Sequence, residues 1–142
     1  MIKLLERLGV PRTLMLGFLA VAIFMTGDGF ELTFLSKFMV DQGFTSSQAS
    51  LLVTVYGLFA AFGGWSAGVL AEMFGARKVM MFGACWWIGV HLLFLGVAIP
   101  SHIYPLILGL YAIRGIGYPL FIYSFVVLMA QYISPSRLAS AT

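Results

Sequence analysis

Three ionisable side chains lie inside stretches that are otherwise apolar: Asp28 and Glu31 in Gly27-Asp28-Gly29-Phe30-Glu31, and Arg114 in Ile113-Arg114-Gly115-Ile116-Gly117. On a helix, residues three apart project from one face, so the two acids point the same way. If the segments carrying them are neighbours, Asp28 can pair with Arg114 across a cavity. Beside the guanidinium the carboxylate stays ionised; withdrawn from it in a low dielectric, the protonated form is favoured. A conformational change that separates the two therefore takes up a proton, which is a way to couple proton entry to moving something else. The same pair also serves as a structural salt bridge locking two helices, and spacing alone does not choose between the two. Glu31 fits a solvated mouth residue, a polar substrate contact or a share in the coupling. Lys37, further along the same segment, reads as an ordinary anchor at the membrane edge.

Tyr111, Tyr118 and Phe121 fall at minus three, plus four and plus seven from Arg114 and share its helical face. A wall combining a guanidinium, hydroxyls and ring faces suits a small hydroxylated solute. The remaining chemistry-bearing residues read blandly. His91 has no carboxylate within one turn of its own helix and reads as a neutral, hydrogen-bonded imidazole, and His102 belongs to a surface turn. Trp86 and Trp87 read as packing or lipid contacts, and Cys85, the sole cysteine, as a small apolar filler. The sequence holds no Ser-His-Asp set, P-loop, G-x-G-x-x-G or His/Cys metal spacing, so no enzyme, cofactor or metal reading has residues behind it.

The elements that must position these groups are membrane helices. Of 142 residues 61% are apolar and 9% charged, and mean hydropathy is +1.02. A water-soluble domain of this length leaves roughly a third of its unfolded surface exposed, so the solvent for this chain must be lipid. The net charge of +3 suggests no nucleic-acid partner, because the eight basic residues are scattered singly or in pairs. A helix rising 1.5 Å per residue needs about 20 residues to cross the hydrocarbon layer, and four runs qualify, over about 13–38, 47–72, 79–99 and 103–132. Thr45-Ser46-Ser47-Gln48 fits a capping box opening the second, and Pro100-Ser101-His102 forces a turn after the third. Pro105 lies harmlessly in the first turn of the fourth, whereas Pro119, beside Gly115 and Gly117, predicts a kink or locally unwound turn. Ala60, Gly64 and Gly68, with Gly57 and Ala61, recur every four residues on the second run and predict close helix packing.

Lys3, Arg7, Arg12, Arg77, Lys78 and Arg137 fall on one side of these runs and Lys37 alone on the other. The positive-inside bias therefore puts both termini in the cytoplasm. Counting about 1.5 Å per residue places Asp28 roughly 22 Å from the inner edge and Arg114 roughly 15 Å from the outer one. The depths differ by about 7 Å, which an arginine side chain nearly covers. A signal peptide is a poorer reading of the N-terminus, since no small-residue cleavage site follows the first apolar run.

The connection Gly68-Val69-Leu70-Ala71-Glu72-Met73-Phe74-Gly75-Ala76-Arg77-Lys78 resembles the cytoplasmic loop signature of the major facilitator superfamily, with Gly68, Gly75, Arg77 and Lys78 matching and Glu72 in place of the usual Asp. The resemblance implies that this loop latches the cytoplasmic side closed when the carrier faces outward. Arg114-Gly115-Ile116-Gly117 is similar to the Arg-containing fourth-helix motif, and Asp28 with Arg114 resembles the acid–arginine pair of proton-coupled sugar symporters. Phe24–Glu31, Phe34–Lys37 and Ile113–Phe121 are similar to bacterial polyol permeases that import ribitol and arabinitol, a group with members labelled alpha-ketoglutarate permeases. The implied fold is an all-α membrane protein in which residues 1–142 form four helices of an N-terminal six-helix bundle. The expected chain is thus an N-terminal fragment whose partners are lipid, protons, a small solute and the missing C-terminal helices, sited in a bacterial cytoplasmic membrane. Two acids against one arginine disfavour a dicarboxylate substrate and tolerate a neutral polyol. A small dimeric four-helix exporter would not need the Gly68–Lys78 signature, and a noncatalytic assembly protein would have no use for charges at depth.

Overall fold

Helix termini in this chain are set by local chemistry that the side chains at each turn supply. The computed structural model describes residues 12–132, the side chains of Arg12 and Thr13 apart. Lys3, Arg7, Arg137 and the Ser134-Pro135 turn lie outside the described residues, and with them half of the six basic residues that orient the chain. Four helices long and apolar enough to cross a membrane are present: α1 (Arg12–Asp41), α2 (Ser46–Phe74), α3 (Ala76–Ser101) and α4 (Tyr104–Tyr132). Each expected run is there, extended by up to three residues at its ends.

The first helix stops where Gly43 takes φ +92°, and its N–H and that of Phe44 donate back to Val40 O at 3.0 Å and Met39 O at 3.1 Å. This paired closure needs a residue free of a Cβ at the left-handed position. The capping box forms as expected: the Gln48 N–H donates to Thr45 Oγ1 at 3.2 Å, and the Thr45 N–H donates to Gln48 Oε1 at 2.9 Å. Gly75, at φ +89°, ends α2 and starts α3 in a single residue, a conformation closed to side-chain-bearing residues. His102, at φ 53°, makes the turn into α4.

Of the kink or unwound turn expected at Pro119, the unwound turn is not formed: the fourth helix runs unbroken through Pro119. The irregularity lies instead in α3, where Phe94–Ala98 forms a π-helical turn and the Ile99 N–H reaches back five residues to Phe94 O. Such turns carry an extra residue and concentrate at functional sites.

The fourth helix is the axle of the bundle. It packs along its length on both α2 and α3, whereas α1 touches it at few points. Its apolar residues face all directions, as a buried helix requires. Close approach is achieved at glycines other than most of those expected. A Cβ on Gly115 would lie 2.6 Å from Tyr56 O, on Gly63 2.7 Å from the Pro119 ring, on Gly83 2.7 Å from Phe121 N and on Gly117 2.9 Å from Gly83 O. Of the expected stripe, Gly64 meets the Tyr123 ring at 2.8 Å, but Gly57 and Gly68 face open space. The spacing was right and the face was wrong, because α4 lies against the neighbouring row of small residues.

Three apolar clusters hold the helices. Leu35, Met39, Leu52, Phe94, Ile107 and Tyr111 unite all four near the α1–α2 turn; Ala67, Val79 and Leu120 join α2, α3 and α4; Leu14, Phe125 and Met129 pin the start of α1 to the end of α4. Gly115→Ala forces backbone apart and is expected to lower stability by about 1–3 kcal/mol. Gly68→Ala meets nothing and should leave stability unchanged or slightly raised, as read by thermal unfolding in detergent.

Candidate functional site: a buried arginine between two acids

Midway along the bundle, between the apolar cluster near the α1–α2 turn and the one at the start of α1, the three isolated charges meet. Arg114 is fully buried (0% exposed) and Asp28 nearly so (5%). Arg114 Nη2 donates to Asp28 Oδ1 at 3.2 Å, and Nη1 donates to Glu31 Oε1. The fork geometry of a guanidinium lets one cation hold two carboxylates presented three residues apart on α1. Tyr56 of α2 donates its hydroxyl to the same Asp28 oxygen at 3.0 Å. The guanidinium carbon lies 4.4 Å from the Trp87 ring centre, 5.0 Å from Tyr111 and 5.4 Å from Tyr56. Rings at these distances stabilise a desolvated cation by about 0.5–2 kcal/mol each. All four helices thus contribute to one electrostatic centre.

The structure brings together Asp28, Arg114, Glu31 and Tyr111, and it separates the rest of the expected wall. Tyr118 stacks on Phe24, with ring centres 5.9 Å apart, and its hydroxyl meets Met25 Sδ at 3.5 Å. Phe121 is buried against Phe24 at 5.0 Å. Sharing a face with Arg114 was not enough, since one and two turns along α4 carry these rings about 6 and 10 Å down the axis. There Phe24, one turn before Asp28, fills the space. The pair is also not set across a wet crevice as expected. The cavity that reaches the cluster, about 430 Å³ between α1 and α3, is lined by Glu31 and His91 but not by Asp28, Arg114 or Tyr111.

Three participants were missed or read blandly. Trp87 stacks on the cation rather than on lipid, and His91 stacks on Trp87 with ring centres 4.8 Å apart. His91 Nδ1 stands 3.7 Å from Glu31 Oε2, so its carboxylate partner comes from another helix. Tyr56 was not singled out at all. The signal available was the four-residue spacing of Trp87 and His91, which puts an indole and an imidazole on one face. Buried Tyr111 Oη, Trp87 Nε1, His91 Nδ1 and Arg114 Nε have no hydrogen-bond partner among the described residues, so donors remain uncommitted around the cation.

At the other end of the chain's second connection, Gly75 explains its place by its backbone conformation, but Gly68 is exposed and touches nothing where a Cβ would sit. Glu72, Arg77 and Lys78 are exposed, and Glu72 forms no ion pair among the described residues. Lys37 pairs with Asp41 at 2.9 Å on the surface of α1.

The comparisons with known proteins give the family. A family model described as Major Facilitator Superfamily matches residues 16–142. The chain is 47% identical over 133 residues to a ribitol transporter of Klebsiella pneumoniae, covering 94% of this chain and 31% of the relative. It is 46% identical over 134 residues to a D-arabinitol transporter of the same organism, covering 94% of this chain and 32% of the relative. An alpha-ketoglutarate permease of Bacillus subtilis is 41% identical over 139 residues, 98% of this chain and 32% of the relative. The chain thus spans about a third of the length of the curated relatives it matches. No solved structure matches it.

Removing the cation should expose how much the centre carries. Arg114→Ala leaves the buried Asp28 and the half-buried Glu31 without their cation and is expected to cost about 3–5 kcal/mol, while Tyr56→Phe, which removes one donor to a charged group, costs about 1.5–3 kcal/mol. Thermal unfolding of the two variants beside the parent reads both.

Proposed function

Because the chain belongs to the major facilitator superfamily, we propose that it is part of the N-terminal helix bundle of a secondary transporter that imports a small hydroxylated solute, such as a sugar alcohol, together with protons. The observation that carries the coupling is the single buried guanidinium held by two carboxylates of α1. A group of charges at this depth costs about 2.5–3.5 kcal/mol per residue on insertion scales, and a packing role alone could be met by apolar side chains. In the proposed cycle, Asp28 and Glu31 hold Arg114 while ionised. Protonation within the group weakens that hold and lets α1 and α4 move relative to one another, carrying the solute site from one side to the other.

The polyol assignment is supported by the names and identities of the two Klebsiella relatives and by charge. Two acids against one arginine leave the centre negative, which repels a dicarboxylate and accepts the hydroxyls of a neutral polyol. The alpha-ketoglutarate permease at 41% identity supports the second reading, a small organic acid. Of the residues expected around the solute, Glu31 borders the cavity, and Tyr111 holds an uncommitted hydroxyl in the buried centre behind it. The protein is an integral membrane protein; we place it in the bacterial cytoplasmic membrane with both termini inside, the Gly68, Glu72, Gly75, Arg77 and Lys78 connection facing the cytoplasm and acting as a gate against helices beyond this chain. No catalytic role is assigned.

The test joins residues 1–142 to the remainder of the Klebsiella ribitol transporter, replacing the matching third, and follows uptake in proteoliposomes. Asp28→Asn is expected to keep downhill exchange of solute and to lose accumulation driven by a proton gradient; accumulation that survives takes the charge balance of this acid–arginine centre out of the coupling. In a competition panel, pentitols should displace labelled ribitol, whereas 2-oxoglutarate should not. The opposite ranking moves the assignment to the organic acid.

A further inference from the structure

We propose that His91 is a proton-relay residue, passing protons from the cavity between α1 and α3 to Glu31, and that Glu31 rather than Asp28 is the carboxylate that loads. This rests on the coupling reading above and deepens it by naming the entry route and the acceptor.

The cavity gives the route. Its lining runs from Gly27 and Glu31 through Phe34 to Phe38 on α1 and from His91 through Leu95 to Ile99 on α3. The seven steps from Glu31 to Phe38 span about 10 Å at 1.5 Å per residue, so the cavity leads from the charged centre toward the end of the bundle where α1 turns into α2. By the proposed orientation that end is outside, the side from which protons drive uptake. The π-helical turn Phe94–Ala98 lies on its wall. His91 is the imidazole at its inner end.

The charges give the acceptor. Asp28 is buried and receives both the Tyr56 hydroxyl and Arg114. Glu31 shares Arg114 but opens on the cavity and faces His91 Nδ1 at 3.7 Å. That nitrogen is buried without a hydrogen-bond partner among the described residues. The charged groups around the imidazole are Glu31 and Asp28 from α1 and Arg114 from α4, while α2 presents the Tyr56 hydroxyl, which is committed to Asp28. One cation with two anions leaves a buried excess of one negative charge. A single proton cancels it, and a neutral group crosses low dielectric far more readily than a charged one. Asp28→Asn also cancels it, with no proton, which is why that variant should exchange without accumulating.

The step balances as follows. A proton from water binds the imidazole nitrogen turned away from Glu31, while the Nδ1 proton passes to Glu31 Oε2. Imidazole ends neutral as the other tautomer and the carboxylate becomes a neutral carboxyl; loss of the far-nitrogen proton to water and uptake of one from water at Nδ1 then restores the starting tautomer with no net proton consumed. A side-chain rotation or one water closes the 3.7 Å gap to hydrogen-bond distance.

The test uses the same chimera with ribitol as the probe. His91→Ala is expected to slow proton-driven accumulation at least about tenfold, the scale of a lost proton-transfer group, with exchange of ribitol kept within about twofold of the parent. Added imidazole should restore accumulation, because a small base fills the space the side chain leaves, and a merely structural histidine would show no such rescue. His91→Ala that accumulates at the parent rate, or that loses exchange and accumulation together without rescue, overturns the relay. A parent chimera that exchanges ribitol but never accumulates it overturns the coupling reading itself, a result distinct from failure of the relay alone.

Discussion

A guanidinium with no access to water, gripped by two carboxylates from one helix, is the constraint around which this bundle is arranged. Its burial is tolerable because both terminal nitrogens and the faces of the group are answered. Asp28 and Glu31 supply charge, and Trp87, Tyr111 and Tyr56 supply ring faces. Each of those partners comes with a demand on the backbone. The two acids must be three residues apart on a continuous α1, the rings must come from α2, α3 and α4, and α4 must sit close enough to α2 and α3 for an arginine in its interior to be enclosed. Gly115 and Gly117, directly beyond Arg114, meet the last demand: side chains there would collide with Tyr56 O and Gly83 O. The glycines and the arginine in Arg114-Gly115-Ile116-Gly117 are therefore one device, charge and clearance within a single turn of the same helix.

Much of this was legible because its causes are local. Thr45 and Gln48 form a cap whose geometry follows from three-residue spacing, and apolar length alone locates four crossings. That Asp28 and Arg114 would meet was also legible, since buried opposite charges have few alternatives to one another. What could not be read is which neighbours pack on which face. Small-residue periodicity marked α2 as a packing helix but not the row that α4 occupies. Tyr118 and Phe121 share Arg114's face yet lie too far along the axis to reach its end. His91 looked isolated because its partner, Glu31, is 60 positions earlier in the chain. The missed features are all contacts between helices, and none has a signature within a single helix.

The third helix shows how one such contact is enforced. Trp87 and His91 stand on one face, four residues apart, and stack as a continuous column on the cation. Phe94 continues that column at 6.4 Å from His91 and at 5.2 Å from Tyr111. Phe94 and Ala98 are both buried across the wider turn, whose extra residue shifts the phase of the helix beyond it by roughly one residue's arc.

The slender attachment of α1 to α4 has a mechanical meaning. The helix is fastened at Leu14 near one end, at Leu35 and Met39 toward the other, and at Asp28 and Glu31 between them. Grease holds the outer fastenings, whose strength does not vary with acidity, and charge holds the middle one. A rod clamped in that fashion has its latch at the fulcrum. Discharging the middle clamp leaves both ends seated yet frees the rod to rock, which is the least disruptive motion that four tightly threaded helices allow.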